Sequence, residues 1–391
     1  MVIRLLCYFV PLAVNMLAGG VMFICSYRFS INGCSGLVTS GAVAVWGGVY
    51  CLTNFAIKRV VRPANALHFI FAGTVAMVAA SLGFILTEAW LYGQFLWIGL
   101  IGFGDALFCM PFQLLAKAVE SEERPGTVQA TAFYTFSWSV GFATGPLFFA
   151  KFVREGFYIN LGLALALAAA VLGIASLRRP ARGEAAKSVA DAPAEVSPQE
   201  VRSRDVFALL GWIVGGMGTL AVSMIRALWP HHGEAIGVSQ MHIALTTALV
   251  SYVQGVTALL LFRSAHWMFR RAGVAAFSLL GVVSLGVFAL ARSVPLFYLA
   301  AAGYGICSGC VYFYLVYHSL AHPTRSEHFV SGNEVIVGVI STAAPMLGGV
   351  LADRFDTPAP FVFAAGALLL AWIIQTLTVT FAVRNTEELK A

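Results

Sequence analysis

Two acidic side chains stand apart because they lie deep inside long apolar stretches of the sequence. They are Asp105 and Glu334, whereas the rest of the 18 Asp and Glu residues lie at the ends of such stretches or between them. Ionised side chains in an apolar membrane interior cost about 2.5–3.5 kcal/mol on insertion scales. Carboxyl groups in such surroundings take up protons more readily than in water, so we predict that Asp105 and Glu334 carry protons. The alternatives are a structural hydrogen bond or buried ion pair for Asp105, and pairing with Arg325 or His328 for Glu334.

Further polar and aromatic side chains fall within the same stretches and are candidates for a binding cavity. Aromatic rings combined with a few amides suit a neutral or amphiphilic organic molecule. Arg226, near the end of its stretch, suits an anionic group, although a basic residue there also commonly extends to a polar surface. The predicted cavity residues are Asn15, Gln113, Trp138, Arg226, Tyr252, Gln254, Tyr304, Tyr312 and Asn333.

Sequence patterns typical of nucleotide, zinc-protease or serine-hydrolase chemistry are missing. The chain has no Gly-x-x-x-x-Gly-Lys-Ser/Thr loop, no HExxH and no GxSxG. Most of the seven cysteines lie in apolar stretches, and Cys307 and Cys310 have no nearby Cys or His pair to complete a zinc site. We therefore expect no cofactor, no metal and no enzymatic activity.

The composition excludes a water-soluble domain. Of 391 residues, 59% are apolar and 11% charged, and the mean hydropathy is +0.83. Soluble domains are about 45–50% apolar and about 25% charged. Apolar runs of about 20 residues, the length of a transmembrane helix, recur twelve times from Leu5–Tyr27 to Pro360–Val383. The predicted fold is an all-α polytopic membrane protein with twelve transmembrane helices.

One charged segment divides these twelve runs into six and six. Residues 178–205 hold several Lys, Arg, Asp, Glu and Pro residues and no aromatic residue, so they cannot bury a core. The predicted organisation is an N-terminal six-helix bundle at 1–177, a flexible cytoplasmic linker at 178–205 and a C-terminal six-helix bundle at 206–391. Most of the 24 Lys and Arg residues lie on the side of the linker. The positive-inside rule places both termini in the cytoplasm, and we expect no nucleic-acid partner.

The two halves of the sequence repeat each other. Gly-Phe-Gly at 102–104 in the fourth run corresponds to Gly-Tyr-Gly at 303–305 in the tenth, and Pro146 in the fifth run corresponds to Pro345 in the eleventh. Because each half has an even number of helices, both halves enter the membrane from the same side and form parallel repeats.

Motifs in two of the runs resemble signatures of the major facilitator superfamily. They are Gly141-x-x-x-Gly145-Pro146 in the fifth run and Leu-Gly-Gly-x-Leu-Ala-Asp-Arg-Phe at 347–355 in the eleventh. The resemblance covers nearly the whole chain. The loop between the second and third runs keeps the family's basic residues at 58–62 without its clear Asp, which is typical of a divergent branch.

The resemblance implies transport by alternating access, in which two six-helix bundles rock about a central site. Helices 1, 4, 7 and 10 of this family usually line the cavity, while helices 2, 5, 8 and 11 form the faces between the bundles. The gating residues implied by the motifs are Gly141, Gly145, Pro146, Pro345 and Asp353.

The sequence therefore favours a secondary active transporter of a small organic solute, coupled to protons. A pH-independent facilitator is one alternative, and a transport-dead member that acts as a membrane sensor or assembly partner is another. The expected partners are a small-molecule substrate, protons and the lipid bilayer. We expect a monomer in the plasma membrane, specifically a bacterial inner membrane.

Overall fold

The long apolar stretches form α-helices joined by mostly short connections. The computed structural model describes residues 2–62, 64–123, 127–152, 154–177, 198–261, 263 and 266–388. Within these ranges the twelve α-helices are α1 Val2–Ile31, α2 Gly36–Ile57, α3 Ala66–Leu86, α4 Gln94–Glu123, α5 Thr127–Lys151, α6 Glu155–Leu177, α7 Pro198–Ala235, α8 Gln240–Leu261, α9 Arg271–Leu290, α10 Val294–Leu320, α11 Ser326–Arg354 and α12 Ala359–Glu388. Short 3₁₀ turns lie at Leu91–Gly93 and His266–Phe269.

Helix α5 differs in polarity from the other helices. In the described part of the chain, eleven helices are long and apolar enough to cross a membrane by length and composition, and α5 is the twelfth α-helix. It packs against α1 on one side and α8 on the other. Its polar side chains Thr131, Thr135 and Ser139 are buried among these neighbours rather than exposed to lipid. A helix surrounded by protein tolerates more polar residues than a helix surrounded by lipid.

Helix contacts follow the same pattern in both halves. In the N-terminal half, α1 packs against α5 and α6, α2 against α4, and α3 against α4 and α6. In the C-terminal half, α7 packs against α11 and α12, α8 against α10, and α9 against α10 and α12. Each contact therefore has a counterpart in the other half, as the internal sequence repeat predicts.

The two halves meet mainly where α2 packs against α11 and α5 against α8. Helices α2 and α11 approach so closely that a Cβ atom on Gly47 would lie 2.6 Å from the backbone carbon of Ser341. Between α5 and α8, Gln254 Nε2 donates a hydrogen bond to Ser139 Oγ at 2.7 Å. Ser308 Oγ in turn donates to Gln254 Oε1 at 2.6 Å. Small residues and buried polar bonds therefore hold the halves together, as is common between membrane helices.

The bundle has two ends, which we call the terminal face and the distal face. The terminal face carries the start of α7 and the α10–α11 connection, and the distal face carries the α1–α2 and α11–α12 connections. At the distal face, Asp353 accepts hydrogen bonds from the backbone N–H groups of Gly36 at 2.6 Å and Leu37 at 3.0 Å. Ser30 Oγ and His231 Nδ1 lie 3.4 Å apart across the α1–α7 contact. The halves are therefore hydrogen-bonded to each other at this face.

Helix α7 begins earlier than the sequence predicts. The predicted linker extends to residue 205, but α7 starts at Pro198, and proline is favourable at a helix start because it needs no N–H donor there. Asp205 accepts hydrogen bonds from His322 Nε2 at 3.0 Å and Arg325 Nη1 at 3.1 Å. These bonds connect the start of α7 to the α10–α11 connection. The end of the predicted linker is thus helical, and residues 178–197 lie outside the described part.

Candidate functional site

Three side chains spaced four residues apart, Asp105, Cys109 and Gln113, form a stripe along α4. Residues with this spacing lie on one face of a helix. The stripe borders a cavity between the two halves with a volume of about 100 Å³, several times the roughly 10–15 Å³ that one water molecule needs. The cavity is lined by Asn15, Met22, Val43, Trp46, Tyr50, Asp105, Cys109, Gln113, Tyr134, Trp138, Phe142, Ser223, Arg226, Tyr312, Leu315, Val316, Asn333, Glu334, Val337 and Ser341.

Asp105 is nearly inaccessible, with 2% of its surface exposed. Trp46 Nε1 on α2 donates a hydrogen bond to Asp105 Oδ2 at 2.7 Å. The Trp46 ring stacks on Tyr50, with ring centroids 5.0 Å apart, which fixes the direction of its N–H group. Asp105 Oδ1 has no hydrogen-bond partner among the described residues. One oxygen of this carboxyl group is therefore held by the protein and the other is unused.

Glu334 on α11 is bonded to the N-terminal half. Gln113 Nε2 donates a hydrogen bond to Glu334 Oε1 at 2.6 Å, and the Tyr50 hydroxyl donates one to Glu334 Oε2. Glu334 lies eight residues after the first residue of α11, about 12 Å along the helix. Of the two alternative partners, Arg325 bonds to Asp205, and the ring of His328 lies against Trp212 and Phe329. Both carboxylate oxygens of Glu334 thus accept hydrogen bonds from the opposite half of the molecule.

Arg226 on α7 is the basic residue of the cavity lining. Its guanidinium carbon lies 4.0 Å from the centroid of the Phe142 ring on α5, a favourable cation–π position. Arg226 Nη2 has no hydrogen-bond partner within the described residues. Arg226 is also absent from the ion pairs formed in that part of the chain. Its positive charge therefore faces the cavity against an aromatic ring, without a paired carboxylate.

Aromatic rings form one wall of the cavity. Trp138 on α5 contacts Phe142 edge to face with ring centroids 6.0 Å apart, and Tyr312 on α10 in the same way at 5.2 Å. Edge-to-face packing is favourable for such rings and restricts their orientation. The cavity thus combines an aromatic wall with charged groups from α4, α7 and α11.

Two solved structures share this arrangement of helices. The crystal structure of the human organic anion transporter MFSD10 (TETRAN) has a TM-score of 0.63 and 14% identity, covering 94% of this chain and 97% of that one. The crystal structure of a POT family transporter in complex with 5-aminolevulinic acid has a TM-score of 0.71 and 12% identity, covering 96% of each chain. The chain has the major facilitator superfamily fold. No family model and no curated protein matches the sequence.

The major facilitator fold confirms the predicted fold class of twelve helices in two similar halves. The resemblance implied that α1, α4, α7 and α10 line the central cavity, and all four do. Helices α2, α5 and α11 contribute to the lining as well. The cavity is therefore walled by more helices than the resemblance implied.

Most of the predicted site residues meet in the cavity. Asp105, Glu334, Gln113, Arg226, Trp138 and Tyr312 line it together with Asn15 and Asn333. The two asparagines also have partners within the protein. Asn15 Nδ2 donates to the carbonyl oxygen of Pro11 at 2.7 Å, and Asn333 Nδ2 donates to Ser319 Oγ at 2.8 Å.

Three residues predicted for the cavity do not line it. Tyr252 pairs its hydroxyl with Thr144 Oγ1 at 2.9 Å between α8 and α5. Gln254 is buried between α5 and α10 through the two bonds described above. Tyr304 is fully buried and donates to the carbonyl oxygen of Gly218 on α7 at 2.9 Å. These side chains hold helices together.

The five predicted gating residues occupy different interfaces. Gly141 and Gly145 lie against α1 in their own half, where a Cβ atom would lie 2.3 Å from a backbone oxygen of α1. Pro146 lines a small pocket with Arg226 and residues of α1 and α8. Pro345 is buried within α11. Asp353 alone among the five bonds directly to the opposite half, at the start of α2.

Sequence reasoning missed Tyr50, Cys109 and Ser223 as cavity residues. Tyr50 follows Trp46 by four residues, and Cys109 stands midway between Asp105 and Gln113. The four-residue spacing was a signal that these side chains share the face of their better-marked neighbours. Among the described residues, no group of three His, Cys, Asp or Glu side chains is arranged to hold a metal ion.

Proposed function

We propose that the protein is a secondary active transporter, which moves a small organic solute by alternating access and couples this movement to protons. One observation carries the proposal. Glu334 lies inside the cavity between the halves and is hydrogen-bonded across it to Tyr50 and Gln113. Gain or loss of a proton by Glu334 therefore changes both the charge of the cavity and the hydrogen bonds between the halves.

Alternating access is supported by the contacts at the distal face. There Asp353 holds the start of α2, and Ser30 faces His231. These bonds are polar, so rocking the halves apart exchanges them for bonds to water. The tightly packed α2–α11 and α5–α8 contacts then guide the movement. We propose that the terminal face is cytoplasmic. The structure then represents a state that is closed at the distal face.

Proton coupling is supported by the two bonds that Glu334 accepts. An ionised carboxylate accepts hydrogen bonds on both oxygens, whereas a protonated carboxyl group has one oxygen that donates. Protonation of Glu334 therefore weakens one of its bonds to the N-terminal half. Asp105 is the second proposed proton site, since only its Oδ2 atom is bonded within the described residues. A pH-independent facilitator would have the same cavity, but its transport would not depend on protonation of Glu334 or Asp105.

The expected setting follows from the same proposal. The transporter acts as a monomer in a plasma membrane, a bacterial inner membrane, and has a small-molecule substrate, protons and the lipid bilayer as its partners. It uses no cofactor and catalyses no chemical conversion.

Uptake into liposomes tests the proposal. The purified protein is reconstituted and offered a broad panel of labelled organic solutes, with and without an imposed pH gradient. We expect at least one solute to accumulate only when the gradient is present. Glu334→Gln should then still exchange this solute and lose its accumulation, and Asp105→Asn should also lose the accumulation. Glu88→Gln, which removes an exposed carboxylate paired with Arg154, serves as the matched control. Unchanged accumulation in both test variants would contradict proton coupling by these residues.

A further inference from the structure

Two charged side chains of the cavity each keep an unused hydrogen-bonding atom. Several buried side-chain polar atoms lack a partner within the described residues, and of these only Arg226 Nη2 and Asp105 Oδ1 belong to residues that line the cavity. Buried polar atoms are nearly always bonded in folded proteins. Two such atoms in one cavity therefore indicate positions that a bound molecule fills.

The unused atom of Arg226 calls for an acceptor. The guanidinium group has five N–H donors and is always positively charged. Its face is covered by the Phe142 ring, which leaves the N–H edge for hydrogen bonding. Carboxylates and phosphates match this edge in geometry and charge. An anionic group is the ligand chemistry that Arg226 best accommodates.

In its ionised form, Asp105 calls for a donor at its unused atom. Trp46 already occupies Oδ2, so Oδ1 is the free acceptor of this carboxyl group. Glu334 is the less open position, because each of its oxygens already accepts a hydrogen bond, from Gln113 and from Tyr50. A hydroxyl or ammonium group on the ligand would complete the bonding of Asp105.

We infer that the cavity binds a small organic anion that carries a hydrogen-bond donor at its other end. The anionic group lies on Arg226, the donor lies on Asp105 Oδ1, and the body of the molecule lies along the aromatic wall of Trp138 and Tyr312. Arg226 belongs to α7 and Asp105 to α4, so the bound molecule joins the two halves. This inference rests on the proposed function and names the substrate class of the transporter.

Binding to the purified protein in lipid nanodiscs tests the inference without any transport. The probes are ω-amino carboxylates from β-alanine to ε-aminocaproate, each compared with the ω-hydroxy carboxylate, alkyl carboxylate and alkylamine of the same length. Titration calorimetry gives the affinities. We expect the amino and hydroxy carboxylates to bind at least tenfold more tightly than the alkyl carboxylates at the best length. The alkylamines should bind most weakly.

Substitutions at two residues separate the contributions of the charged side chains. Arg226→Gln should weaken every carboxylate at least tenfold, and Arg226→Lys, which keeps the charge, should restore part of the affinity. In Asp105→Asn the single amide oxygen must accept from Trp46, so the amide N–H₂ faces the cavity. This variant should lose the preference for donor-bearing ligands and keep the affinity for alkyl carboxylates. Arg28→Gln is the control, since Arg28 donates to the Glu88 carbonyl oxygen at the distal face.

The outcomes distinguish the inference from the proposed function. Tight binding of alkylamines, or carboxylate binding that persists in both folded Arg226 variants, would overturn the inference. If liposomes accumulate other solutes while no carboxylate binds, the inference fails and the transport function stands. If carboxylates bind as expected and no member of the series is transported, the binding site stands and the transport function fails.

Discussion

Asp353, at the end of α11, accepts a hydrogen bond of 2.6 Å from the backbone N–H of Gly36, the first residue of α2. The carboxylate of one half therefore caps a helix of the other half, where unpaired N–H groups and the helix dipole favour a negative charge. The bond also joins the two halves at the distal face. Its strength contributes directly to the closure of that face.

Asp353→Asn should weaken closure of the distal face. Loss of the charge at this helix start costs about 0.3–1 kcal/mol, equivalent to a roughly 2- to 5-fold shift of the equilibrium toward separated halves. Spin labels at the exposed positions Asn32 and Asp356 report this as an increased population of long distances. Glu234→Gln, an exposed carboxylate at the same face, is the control. An unchanged distance distribution in Asp353→Asn would show that this bond does not contribute to closure.

Gly47→Ala should disrupt the approach of α2 to α11. The added Cβ would lie 2.6 Å from the Ser341 backbone carbon, so the helices must move apart. At the neighbouring Gly48, a Cβ would lie 3.6 Å from Thr342, an ordinary contact, which makes Gly48→Ala a matched control. We expect solute exchange to fall at least tenfold in the first variant and by less than twofold in the second. Equal rates in the two variants would contradict the importance of this contact.

Tyr50→Phe should reduce proton coupling while leaving the cavity in place. The change removes one hydrogen bond to Glu334, and bonds to charged groups contribute about 1.5–3 kcal/mol. The ring itself still stacks on Trp46. Uptake with and without a pH gradient should show a lower accumulation ratio at an unchanged exchange rate. Tyr92→Phe, an exposed tyrosine, should behave as wild type.

A break within residues 178–197 should leave a foldable protein. This segment of the predicted linker has no apolar face to bury, and the halves meet through α2–α11 and α5–α8 contacts that do not involve it. Co-expressed halves should copurify as a complex that binds solute. A deletion from this segment through residue 205 removes the Asp205 bonds to His322 and Arg325. This deletion should therefore lower thermal stability. Failure of the intact halves to associate would contradict the two-bundle organisation.

The sequence predicted the features that depend on composition and spacing. The twelve runs followed from apolar length, and the repeat followed from matched motifs in the two halves. Asp105 and Glu334 were identified because a carboxylate in an apolar helix is costly and therefore stands out. The start of α7 was missed because its first turns are charged, and the prediction relied on apolar length. The hydrogen bonds at Asp205 compensate for that polarity.

The positions of individual aromatic and amide side chains were harder to predict. Tyr304 and Gln254 lie on helices that are buried on most sides, so helical periodicity does not identify the face that meets the cavity. Tyr50 carries the hydroxyl that bonds Glu334, yet a single tyrosine in an apolar helix more often packs against neighbours. Its partner comes from α11, far away in the sequence. Such contacts depend on how the halves pack, which local patterns do not specify.

Proton movement driven by a solute gradient tests the central claim most directly. Liposomes that contain a pH-sensitive dye and the wild-type protein are given a gradient of a transported solute and no initial pH difference. Movement of the solute should drive movement of protons. The internal pH should therefore change in proportion to the solute transported. Glu334→Gln should move the solute without this pH change. A pH change of the same size in Glu334→Gln, at the same solute flux, would contradict the assignment of Glu334 as the coupling group.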